Sequence, residues 1–70
     1  MNVMNEYLIE FTCLVNGNHF AEQDTVFADT AKQAVAKVKQ RYSFEDIHID
    51  SVYKDTGFKW EYVDSFAWED

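Results

Sequence analysis

Tyr7-Leu8-Ile9-Glu10-Phe11-Thr12-Cys13-Leu14-Val15, followed at once by Asn16-Gly17, decides the architecture of this chain. The odd positions Tyr7, Ile9, Phe11, Cys13 and Val15 put apolar side chains on one face, while Glu10 and Thr12 fall on the other. That period of two belongs to a half-buried strand. Asn16-Gly17 supplies the left-handed backbone that a two-residue hairpin turn requires. The chain therefore folds back into a second strand, His19 to Ala28. This return strand is apolar at Phe20, Val26 and Phe27 but polar through Glu22-Gln23-Asp24, a break that predicts a bulge or an edge position.

Working outward, Thr30-Ala31-Lys32-Gln33 has the spacing of a capping box, with Asp29 beside it at the positive end of the helix dipole. Ala31, Ala34, Val35, Val38 and Tyr42 recur at helical spacing as one apolar stripe, and Lys37, Lys39 and Arg41 suit the negative end. Ile47 to Tyr53 reads as a third strand with Ile47, Ile49 and Tyr53 on one face. Asp55-Thr56-Gly57 is a turn, and Phe58 to Tyr62 alternates as a fourth strand that groups Phe58, Trp60 and Tyr62. Residues 64–70 form an acidic-aromatic tail that either makes a turn capped by Asp64 or stays loose. The expected fold is one α+β domain over residues 1–70, β-β-α-β-β. Its four-stranded antiparallel sheet takes the order 2-1-3-4, because a right-handed crossover sets strand three beside strand one. One helix of about 20 Å packs on one face and leaves Leu8, Leu14 and Val52 on the other to be covered by the tail or by a partner.

Seventy residues support a single core and a stability of only ~3–5 kcal/mol. Cys13 is the only cysteine, so no disulfide forms within the chain; a lone thiol and the absence of a leader-like start fit a reducing, cytoplasmic setting. No apolar run reaches the ~18 residues of a membrane span. The net charge of −7 is unevenly laid out. Residues 1–29 carry five acids and no Lys or Arg, residues 30–42 carry four bases and no acid, and residues 61–70 carry four acids and no base. One helix-sized segment is basic within an acidic surround. Such a body repels phosphate backbones and attracts basic partners.

The residues offer no catalytic constellation. Cys13 falls on the inward face, and neither His19 nor His48 is placed beside it by a motif. One cysteine and two distant histidines do not make a zinc pattern, and the two glycines, Gly17 and Gly57, both belong to turns. Glu45-Asp46 and Glu69-Asp70 are adjacent carboxylates, which point apart on an extended chain. No cofactor, metal or enzymatic activity is expected.

Binding to a protein with a basic surface is the expectation that remains. The candidate contacts are the carboxylates Glu6, Glu10, Glu22, Asp24 and Asp50, which could imitate phosphates, together with Glu61, Asp64, Phe66, Trp68, Glu69 and Asp70 of the carboxy-terminal stretch. There, aromatic anchors sit among acids; Trp60 and Tyr62 are assigned to the core instead. In size, charge and lack of catalytic residues the chain is similar to the small acidic inhibitors that phages and mobile elements encode against bacterial defence nucleases; no motif carries that likeness. A second expectation is a nucleic-acid-binding accessory protein that uses Lys32, Lys37, Lys39 and Arg41 on the helix of residues 30–42, opposed by the overall acidity. A third is a subunit that homodimerises through the uncovered sheet face or an edge strand.

Overall fold

The first hairpin closes through Asn16 (φ 52°) and Gly17 (φ 81°) in the computed structural model, which describes residues 4–43 and 46–69. Both central residues are left-handed, the condition of a type I′ turn whose twist matches the flanking strands. β1 (Asn5–Val15) and β2 (Asn18–Ala28) then pair antiparallel, from Asn5 opposite Ala28 to Val15 opposite Asn18, without a register shift. α1 (Ala31–Arg41) starts where expected: Thr30 Oγ1 accepts the Gln33 N–H at 3.1 Å, and Gln33 Oε1 accepts the Asp29 N–H at 3.3 Å. The return bond thus reaches one residue further upstream than the usual capping box.

β3 (Asp46–Asp55) lies beside β1, and β4 (Trp60–Val63) lies outside β3. The sheet is antiparallel throughout, in the order β2-β1-β3-β4, with one helix packed on it; the α+β fold read from the sequence is the fold observed. The core lies between α1 and one sheet face. Tyr7, Ile9, Phe11 and Cys13 of β1, Val26 and Ala28 of β2, and Ile49 and Val52 of β3 meet Ala31, Ala34, Val35 and Val38 of the helix. Tyr42 closes one end with its ring 4.9 Å from that of Phe11.

Of the bulge or edge position expected for β2, the edge position is observed, and the strand pairs without a bulge. Two local readings change. A bulge lies in β3, where Glu10 faces Ser51 but the next residue, Phe11, faces Ile49, leaving Asp50 as the inserted residue. The bulge resets the alternation, so Ile47, Ile49 and Val52 share the helix side while Ser51 and Tyr53 turn to the open side. Val52 is consequently fully buried and not on the far face. β4 begins at Trp60, and Phe58 sits at the tip of the loop, 98% exposed. That loop is shaped by Gly57 (φ 92°) and by Asp55, whose carboxylate accepts the Gly57 N–H at 2.8 Å.

The carboxy-terminal stretch takes the capped alternative. Asp64 accepts the Phe66 N–H at 3.3 Å and starts a 3-10 turn, Ser65–Ala67, which delivers Trp68 into the helix-side core, 9% exposed. Its indole N–H is buried without an acceptor among the described residues. Asp70 lies outside the described residues. Among the described residues no helix is long and apolar enough to cross a membrane.

Ile9 is fully buried at the centre of β1. Ile9→Ala is expected to cost about 2–5 kcal/mol, most of this small domain's stability, read as a collapse of the urea midpoint against wild type.

Candidate functional site on the open sheet face

Among the described residues no helix or strand lies over the side of the sheet away from α1. Register sets its rows. Thr25, Leu8, Tyr53 and Tyr62 lie in one line across all four strands, with Phe27 opposite Glu6 and Asp55 opposite Trp60 to one side. On the other side come Gln23, Glu10 and Ser51, then Ala21, Thr12 and His48. One half of the face is therefore aromatic and the other polar. Phe27 is 58% exposed, Tyr62 57% and Trp60 41%, values high for rings that share one surface. Tyr53 and Tyr62 hold each other edge-to-face at 5.8 Å. Trp60 and Tyr62 thus belong to the surface, contrary to the core position expected for them. Phe27 was readable: Val26 and Ala28 both point to the helix, so the residue between them must point away.

The polar half carries carboxylates that are fixed without being neutralised. Glu10 accepts from Ser51 Oγ at 2.6 Å, and Asp50 accepts from Thr12 Oγ1 at 2.7 Å. Hydroxyl donors orient these groups and leave their charge in place. The His48 ring approaches Asp50 at 3.7 Å and is largely exposed. Glu10, Asp50, Ala21 and Gln23 line a shallow depression of about 460 Å³. Asp50 owes its position to the bulge, a local device that re-aims a side chain.

The five candidate contact carboxylates are split between faces. Glu6, Glu10 and Asp50 share the open face, but Glu22 and Asp24 stand on the helix side, opposite Phe11 and Ile9. Asp24 is there because Arg41 is there: the guanidinium pairs with its carboxylate at 2.7 Å and reaches the Thr25 carbonyl at 3.3 Å. Glu61 faces Lys54 across β3 and β4 and also lies off the open face. Asp64 serves as the cap of the 3-10 turn, Phe66 is 80% exposed, and Glu69 is exposed beside Lys39. Trp68 is withdrawn from the surface expected of it, because Ile47 and Ile49 offer it an apolar seat at the end of the helix layer.

The basic helix is not one phosphate-facing stripe. Lys37 donates to the Phe27 carbonyl at 2.6 Å, and with Arg41 one turn on it is turned toward the outer edge of β2. Lys39 faces the opposite flank, near Glu69, and Lys32 lies exposed in the first turn. Cys13 is buried on the helix side, whereas both His19 and His48 stand on the open side. Among the described residues no three His, Cys, Asp or Glu side chains converge as metal ligands. Comparison with protein-family models, curated proteins and solved structures finds no match to this chain.

Burial, and then the carboxylates of Asp24 and Glu22, raise the Tyr42 phenol above its ordinary value of 10.0. Above pH 10 the unfolded chain loses this proton before the folded one does, so Tyr42 contributes a fall in stability as pH rises through its folded value. Tyr42→Phe is expected to flatten that alkaline limb in urea titrations. The Arg41–Asp24 pair is half exposed and is worth about 0.5–1 kcal/mol after screening. Arg41→Ala and Asp24→Asn should each lose about that much, with little further loss in the double variant, measured as a thermodynamic cycle.

Proposed function

We propose that this chain is a non-catalytic protein-binding module that docks its open sheet face on a basic partner and modulates or inhibits it, a nucleic-acid-binding protein being the favoured target. The observation that carries this reading is the face itself. Exposed rings at Trp60, Tyr62 and Phe27 stand beside Glu6, Glu10 and Asp50, on a surface without a Lys or Arg in its register rows. Interfaces draw affinity from aromatic anchors and take orientation and on-rate from charge, and this face offers both. Carboxylates held by hydroxyls at Glu10 and Asp50 keep their charge for a cationic partner, as a mimic of a phosphate backbone would. An inhibitor of a defence nuclease, of the kind phages and mobile elements carry, is the sharpest form of this proposal.

The competing use of α1 on nucleic acid is weakened by the engagement of Lys37 and Arg41 with the β2 edge. Self-association through the open face would bring Glu6, Glu10 and Asp50 of each copy together. The expected behaviour is a monomer at micromolar concentration that captures a basic, nucleic-acid-binding protein from native lysate. Binding to that protein, once purified, should weaken about tenfold or more in Glu10→Lys and in Trp60→Ala, fall with salt, and be competed by nucleic acid. Equal affinity of wild type and both variants would overturn the reading. Salt-sensitive binding of the chain itself to duplex DNA would replace it with the helix-borne alternative.

A further inference from the structure

The two outer edges of the sheet differ. Along β2 the outward carbonyls of Thr25 and Phe27 are occupied by Arg41 and Lys37. Along β3 the covering strand is short: β4 pairs only with Val52 to Asp55. From Asp46 to Ser51, no backbone group of the described residues pairs with the outer side of β3. Beside this bare stretch lies a groove of about 310 Å³, lined by Ile47, Ile49 and Trp68 with Lys39, His48 and Glu69.

We propose that the outer edge of β3 from Asp46 to Ser51 accepts an extended segment of a basic partner as a fifth strand, with the segment's apolar side chains entering the Trp68 groove and its Lys or Arg side chains facing Asp46 and Asp50. The inference rests on the protein-binding reading above and names the part of the partner that is held. An unpaired edge is a row of donors and acceptors ready to continue the ladder, and alternate side chains of an added strand point to opposite faces. On one face those side chains meet the groove; on the other they meet Asp46, His48 and Asp50, all exposed, along a segment that contains no Lys or Arg. The charges decide the occupant. A second copy, laid antiparallel about His48, would set Asp46 against Asp50 twice over, and like charges directly opposed destabilise a strand pair. The carboxylates that discourage this self-pairing attract a cationic strand.

The probe is an acetylated, amidated alternating Lys-Val octapeptide, set against a peptide of the same length and charge with proline at a central Val, which cannot continue a ladder. Hydrogen exchange of the intact chain by NMR is expected to show amides within Asp46–Ser51 slowed at least tenfold by the alternating peptide and unchanged by the proline peptide. Asp46→Lys should weaken peptide binding at least tenfold while leaving the chain folded, as read from its own spectrum. No binding, equal binding of the two peptides, or protection elsewhere than on β3 overturns the proposal. The purified partner separates the two levels. Affinity lost in Trp60→Ala but unchanged in Asp46→Lys removes the edge and keeps the face, whereas affinity unchanged in both removes both.

Discussion

An eleven-residue helix rises about 16 Å, while eleven residues of strand extend about 37 Å. This mismatch governs the molecule. With one helix to cover four strands, the chain can bury one face near its middle and no more. The result is elongated, 42 Å by 22 Å by 19 Å. Beyond the helix end the hairpin overhangs, and Val15 and Phe20 are partly exposed there although their strand partners further along are buried. Trp68 extends the helix layer by one side chain, which is why it is buried where Phe66, two residues earlier, is not. The open face follows from the same shortage of covering structure.

Charge is arranged around that geometry. The cations of α1 whose contacts are clearest, Lys37 and Arg41, turn toward β2, where they bond carbonyls and one carboxylate. Two of the helix's four cations are thereby drawn to the β2 flank, and the sheet's far side keeps Glu6, Glu10 and Asp50 without a Lys or Arg in its register rows. Two of these carboxylates are oriented by hydroxyls across the β1–β3 step. The electrostatic asymmetry is therefore built by side-chain placement as well as by composition.

The fold was legible because each local signal agreed with the others. Asn16-Gly17 fixed the hairpin, Thr30 and Gln33 fixed the helix start, and crossover handedness fixed the strand order. The site was less legible, and the reason is the bulge. A strict period of two through β3 groups Tyr53 with Ile47 and Ile49, whereas the extra residue at Asp50 moves Tyr53 and the facing Tyr62 to the open side. Nothing in Ile49-Asp50-Ser51-Val52 announces that insertion except the placing of Val52. The helix-side placing of Asp24 and Glu22 was hidden for another reason. An acid at the Asp24 position makes sense there only once Arg41 is known to reach it. The tail was readable as a capped turn, but which of Phe66 and Trp68 it would bury depended on the seat offered by Ile47 and Ile49.

The closed flank of β2 has a consequence for how copies of this molecule can stack. A filament grown by lateral strand addition needs every subunit to be receptive on both sides. Here an ammonium and a guanidinium occupy the outward carbonyls of Phe27 and Thr25, so an incoming strand would have to displace both to continue the ladder along that end of β2. Lateral growth of the sheet is thereby made costlier at this end of β2 than along the bare stretch of β3.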